Sequence, residues 1–159
     1  MMSPGERTVA AKQEIVRALV VAYGKEVETI INYLSISIDI DGVRAEFIKN
    51  ALAADIQGEI DHARQLGARI KQLGGQVPGS LGVKMEQAYL QPPEDTTDVV
   101  SVIRGVLRAE EDAIQHYNGI IKLCDGADYV TQDLAVRILT DEEGHRQQFE
   151  GYLKEYTRG

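Results

Sequence analysis

From position 5 to 77, and again from 94 to 159, the chain has no proline, and in both stretches apolar residues recur at alternating steps of three and four. That is the period of a helix face, not the two-residue period of a strand. Each stretch is long enough for two helices, so the pattern predicts four. The first opens on Ser3-Pro4-Gly5-Glu6, a capping-box spacing with proline at the first helical position, and runs to about Ser37. Its seam is Ile15, Leu19, Ala22, Glu26, Ile30 and Tyr33, and Asp39-Ile40-Asp41-Gly42 supplies turn chemistry. The second runs from about Val43 to Leu73 on Ile48, Leu52, Ile56, Glu59, His62, Leu66, Ile70 and Leu73, with Gly74-Gly75 as its stop.

Residues 76–97 hold three of the four prolines and are too many for a hairpin between neighbouring helices. They predict a long crossover, with room for a short helix over Leu81–Leu90. A third helix follows from about Thr97 to Cys124 on Val99, Ile103, Val106, Glu110, Tyr117 and Ile121. The fourth runs from about Asp128 to Tyr156 on Leu134, Ile138, Glu142, His145, Phe149 and Tyr152. Seven glycines, at 24, 58, 67, 105, 119, 144 and 151, fall inside these helices, each costing about 1 kcal/mol relative to alanine. Gly24, Gly58 and Gly144 lie within two residues of a seam carboxylate, where bare backbone would let helices approach closely. The expectation is an all-α, four-helix bundle in one domain, residues 1–159.

The seams carry an anomaly, because each has an acid where an apolar residue belongs: Glu26, Glu59, Glu110 and Glu142. An unpartnered buried carboxylate costs several kcal/mol, so four at similar depth need a shared cation or protons. Two of the three histidines join them, since Glu59-Ile60-Asp61-His62 and Glu142-Glu143-Gly144-His145 are both Glu-x-x-His, which sets both side chains on one helix face. Glu26 precedes Glu59 by 33 residues and Glu110 precedes Glu142 by 32, while Tyr33 and Tyr117 each lie seven after the lone glutamate of their helix. The chain is thus an approximate repeat of two helix pairs. A glutamate plus Glu-x-x-His, twice, is the ligand set of carboxylate-bridged di-iron or di-manganese sites in helical bundles, and oxygen with imidazole but no sulfur suits Fe or Mn.

Glu110 is preferred to its neighbour Glu111 for its relation to Tyr117, and Glu142 to Glu143 because Glu143 falls off the seam. Tyr33 and Tyr117 read equally as core or as hydrogen-bond partners of ligand carboxylates. Asp141 reads as an acceptor for an imidazole or as a solvated acid. His116, off the seam, is expected at the surface, and Cys124 as a small core hydrophobe. Asp55, Asp61, Arg64, Arg69 and Lys71 read as a solvated face.

Charge sharpens the picture. There are 17 Lys+Arg against 25 Asp+Glu, a formal net charge of −8. That balance disfavours nucleic acid, which needs a basic surface, and an anionic membrane. Four site carboxylates and two divalent ions would instead cancel in a low-dielectric interior. The single cysteine excludes an internal disulfide and CxxC metal sites. With no uninterrupted apolar run at the N-terminus, the cytoplasm is the expected location.

The stretches Glu26-Val-Glu-Thr-Ile-Ile-Asn-Tyr33, Ala109-Glu-Glu-Asp-Ala-Ile114 and Asp133-Leu-Ala-Val-Arg-Ile-Leu-Thr-Asp-Glu-Glu-Gly-His145 resemble the ferritin-like superfamily. Within it, the resemblance is to bacterioferritins and to Dps-like ferritins with a bacterioferritin-type site. It implies a non-haem di-iron ferroxidase that oxidises Fe(II) with O2 or H2O2, for iron storage or detoxification in a homo-oligomeric cage. By position, Glu26 and His62 would hold one iron, Glu110 and His145 the other, and Glu59 and Glu142 would bridge them. Haem is not implied, because Ile60 stands where haem bacterioferritins carry an axial methionine. Only 14 residues follow His145, fewer than the fifth helix of 24-subunit cages requires, so a dodecamer is expected. A rubrerythrin-like peroxidase, a manganese catalase and a Dps-type DNA-protection protein are the alternatives. The lone cysteine disfavours the first, and an N-terminal arm with only Arg7 and Lys12 the last.

Overall fold

The computed structural model describes all residues from Met1 to Gly159. Four long helices form, α1 (Pro4–Asp39), α2 (Ala45–Gln72), α3 (Val99–Cys124) and α4 (Tyr129–Tyr156), with no strand. The capping box is present: Ser3 accepts from the Glu6 N–H, and Glu6 accepts from the Ser3 N–H at 2.6 Å. Asp98 and Asp128 cap α3 and α4 by accepting the N–H of Ser101 and Thr131, satisfying donors that a helix start leaves open. Gly74, past the end of α2, takes φ +81°, a region that favours glycine.

α1 packs along α2 and α3 along α4, and the two hairpins close against each other through α1–α3 and, more sparsely, α2–α4. The long connection after α2 is a crossover, as the prolines predict, but it does not contain the expected helix over Leu81–Leu90. Only one 3-10 turn forms, Ser80–Gly82. The rest makes only isolated turns of its own, such as the Leu90 N–H donating to the Gln87 carbonyl, and is tied down by side chains of α1. Buried Glu28 accepts the backbone N–H of Glu86 and of Gln87, each at 2.8 Å, and the Gln87 amide bonds Thr29 and Asn32.

The glycine expectation is also corrected. A Cβ on Gly58 or Gly144 would meet nothing, and one on Gly24 would touch only the Val83 side chain. The close approach is at Gly105, where a Cβ would lie 2.5 Å from the Tyr89 carbonyl oxygen of the crossover. Seam positions drift where the helices leave strict register: Thr29 and Ile120 are buried, whereas Ile30 and Ile121 are only half-buried.

The apolar interior is in two parts. One cluster joins Ile36, Ile48, Leu52, Ile103, Val106 and Phe149, and the other joins Leu19, Leu66, Ile70, Ile120, Leu134 and Ile138, with buried Cys124. The polar seam residues lie between them along every helix. No helix is long and apolar enough to cross a membrane.

Candidate metal centre

Each helix delivers its seam acid to the space between the two apolar clusters, and Glu26, Glu59, Glu110 and Glu142 are all buried. The Glu-x-x-His spacing brings His62 and His145 to the same place, so the structure gathers all six predicted residues. They form two groups, Glu26–Glu59–His62–Glu142 and Glu59–Glu110–Glu142–His145, and within each the potential ligand atoms lie within 4.8 Å of one another. Glu59 and Glu142 belong to both. Glu59 straddles the centre, its Oε2 3.7 Å from His62 Nδ1 and its Oε1 3.8 Å from His145 Nδ1. Glu142 Oε1 lies 3.2 Å from His62 Nδ1 and 3.9 Å from His145 Nδ1.

Satisfaction of polar groups singles out this spot. The buried side-chain atoms without a hydrogen-bond partner are Glu59 Oε1 and Oε2, His62 Nδ1, Glu110 Oε2, Glu142 Oε1 and His145 Nδ1. All belong to the six residues, and all face the shared space. Folded proteins almost always pair such atoms, so their concentration here leaves a donor set that a cation could satisfy. The preference for Glu110 and Glu142 also agrees with burial, since Glu111 and Glu143 are exposed.

The surrounding hydrogen bonds cross between the halves. Tyr117 of α3 donates to Glu26 Oε1 of α1, and Tyr33 of α1 donates to Glu110 Oε1 of α3 at 3.3 Å. Both tyrosines therefore serve carboxylates as well as core. His62 Nε2 lies 2.8 Å from Asp141 Oδ2, which makes Nε2 the protonated nitrogen and leaves Nδ1 free as a donor atom. His145 makes no corresponding contact.

Electrostatics record the crowding. Burial drives Glu59 and Glu142 well above the ordinary carboxylate range, with Glu26 adding repulsion. Burial also pushes Glu110 up, to about 7. Burial acts upward on Glu26 too, but hydrogen bonds from Glu59, His62 and Tyr117 outweigh it and hold that carboxyl low. For His62, burial favours the neutral ring, yet the carboxylates of Glu142, Glu26 and Glu59 prevail and raise it.

Two surface expectations are corrected. His116 is half-buried, with Nε2 2.9 Å from the Ala18 carbonyl oxygen of α1, and burial lowers its pKa. Arg69 and Asp55 are not part of a solvated face: the Arg69 guanidinium donates to Thr131 and Asp128 at 2.9 Å, clamping α2 to the start of α4, and Asp55 is half-buried, its carboxyl raised by burial against the opposing charge of His145. Lys25, Asp112 and Gln87, beside the site on the α1–α3 side, were not singled out by the sequence, where a lysine, an aspartate and a loop glutamine carry no periodic signal.

The ferritin-like domain family matches residues 16–159, and the chain belongs to it. A "DNA protection during starvation protein" of Pyrococcus furiosus is 29% identical over 153 residues, covering 93% of this chain and 81% of the relative. Solved structures that share the fold include three ferritin-like proteins. A dodecameric thioferritin, the bacterioferritin-related protein of Bacteroides fragilis, has TM-score 0.80 at 23% identity over 92% of this chain and 88% of its own. A ferritin-like, diiron-carboxylate protein of Bacillus anthracis has TM-score 0.76 at 21% identity over 96% and 99%. The bacterioferritin of Desulfovibrio desulfuricans has TM-score 0.75 at 21% identity over 92% and 82%.

Proposed function

We propose that this ferritin-like protein is a non-haem ferroxidase, one domain over residues 1–159, that takes Fe(II) as substrate and passes its electrons to O2 or H2O2. The observation that carries the reading is the pair of four-residue groups sharing Glu59 and Glu142. The six orphaned atoms are four carboxylate oxygens and two imidazole nitrogens, a donor set that suits Fe(II), with Mn(II) as the other fitting ion. Four carboxylates neutralise two divalent cations, which removes the cost of burying either alone.

Glu26 and His62 would hold one ion, Glu110 and His145 the other, and Glu59 and Glu142 would contact both. Two bound Fe(II) supply two electrons together, enough to take H2O2 and two protons to two waters while both ions become ferric. The chain's own part is positional. Asp141 fixes the His62 tautomer, Tyr117 and Tyr33 orient Glu26 and Glu110, and the two apolar clusters close the site above and below.

The name of the Pyrococcus furiosus relative supports a second reading, protection of DNA by association. A net charge of −8 opposes it. A closed homo-oligomer, a dodecamer before a 24-mer, is the assembly we favour, supported by the dodecameric state of the Bacteroides fragilis neighbour. Aerobic mixing with Fe(II) tests the activity: wild type should develop a near-ultraviolet ferric band rapidly, and Glu59→Ala should oxidise iron no faster than buffer. Equal rates for the two proteins would refute the assignment.

A further inference from the structure

Five of the six residues are buried among the helices and His145 alone is partly exposed, at 22%; away from His145, the α1–α3 side carries a second marked path. Under the crossover lies a cavity of about 310 Å³ whose walls include Val21, Gly24, Glu28, Val83 and Tyr89. Inward of it is a constriction of about 10 Å³ whose walls include Glu26, Glu110 and Glu142. Lys25, Gln87 and Asp112 line both spaces, so the outer cavity meets the ligand carboxylates at these three side chains.

Gln87 is fixed there. Its amide donates to Thr29 at 2.8 Å and accepts from Asn32 at 3.0 Å, and its backbone N–H is held by Glu28. The side chains of Lys25 and Asp112 are tied by hydrogen bonds only to each other. Lys25 Nζ donates to Asp112 Oδ2 at 2.5 Å across the α1–α3 gap, with the side chains 25% and 43% exposed. The pair is only part-buried, so water reaches it and screens the attraction. The cavity walls set Glu28, Glu86 and Asp112 against Lys25 and Lys84, an acidic excess in a concave space that concentrates cations.

We infer that the Lys25–Asp112 ion pair is the gate of the route by which divalent cations reach the buried carboxylates. The Lys25 ammonium is a tethered cation on Asp112. An arriving divalent ion takes its place on the carboxylate, Lys25 swings outward, and the ion passes the fixed Gln87 to Glu26 and Glu110. Lys25 and Asp112 are thus positioning residues for uptake, not ligands of the resting site. The inference rests on the reading of the six residues as a metal site.

Anaerobic stopped-flow mixing with Co(II), followed by its visible absorption, measures uptake without oxidation. Lys25→Met should speed association and Asp112→Asn should slow it, each by about threefold to tenfold. Because a gate alters passage in both directions, dissociation should change in step and the equilibrium affinity should stay that of wild type. Melting of the metal-free variants should stay close to wild type, since each replacement removes one part-buried ion pair and leaves both apolar clusters intact. Association rates equal to wild type in both variants, shifts of the same sign, or an affinity change that accounts for the rate change would each overturn the gate. Absence of Co(II) binding to wild type would overturn the metal-site reading and the gate with it, whereas tight binding with unaltered variant rates would overturn the gate alone.

Discussion

The two helix pairs carry the same Glu and Glu-x-x-His residues in different settings. In the α1–α2 half, His62 has a side chain 4% exposed and is anchored to Asp141, and Glu26 is held ionised by hydrogen bonds. In the α3–α4 half, His145 is 22% exposed with no partner for its second nitrogen, and Glu110 is pushed toward its neutral form. The difference traces to single residues. Asp141 precedes Glu142, while the matching position before Glu59 is Gly58. A repeat can therefore specify a ligand set twice and still make one half preorganised and the other labile. The α1–α2 half should take the first ion and the α3–α4 half the second.

The largest effect that would break this comparison comes from the shared residues. Glu59→Ala should lose both metal equivalents in an anaerobic Co(II) titration, whereas Glu110→Ala should lose only one. Retention of one full equivalent by Glu59→Ala would contradict a shared carboxylate.

Next comes pH. In metal-free protein, Glu110 titrates at about 7 against an ordinary 4.5, so the folded state keeps a proton that the unfolded chain releases. Its stabilising contribution is complete below about pH 4.5 and is lost as pH rises through about 7, a few kcal/mol at most. Glu26, held low, has the opposite sign and acts in acid. Denaturant unfolding of chelator-treated protein should therefore weaken from pH 4.5 to 7, and Glu110→Gln should reduce that slope, the rest of which comes from Glu59 and Glu142, whereas Glu26→Gln should not reduce it.

Smaller effects concern the anchoring of the two imidazoles. Asp141→Asn should weaken the first-binding ion by about tenfold to a hundredfold, the usual cost of removing a carboxylate behind a metal-bound histidine. Gly58→Asp, at a position where a Cβ meets nothing, would offer His145 the partner it lacks and should tighten the second ion by less than about tenfold. Competitive titration against a chelator measures both, and equal affinities of the two ions in wild type would remove the asymmetry.

How much of this was legible depends on whether a residue's partner is set by helical period. Glu26, Glu59, Glu110 and Glu142 stand out because an acid on an apolar seam breaks a regular pattern, and Glu-x-x-His spacing then places each imidazole. The helix ends were legible from Ser3, Asp128 and Gly74, local cues that need no tertiary partner. Residues 81–90 were not, because the crossover takes its shape from Glu28 and Gln87 contacts across nearly sixty positions of chain. Arg69 and His116 misled for a related reason. A polar residue off the seam looks solvated until another helix supplies Asp128 or the Ala18 carbonyl. The crossed tyrosine bonds were invisible too, since each tyrosine was spaced from the glutamate of its own helix but serves the other half.

The central claim is that two adjoining cation positions share Glu59 and Glu142. Anomalous scattering at the iron edge from crystals loaded anaerobically with Fe(II) tests it most directly. Two peaks in each chain are predicted, one against Glu26 and His62 and one against Glu110 and His145, with both carboxylate oxygens of Glu59 engaged between them. A single peak, or peaks away from these six residues, would contradict the account.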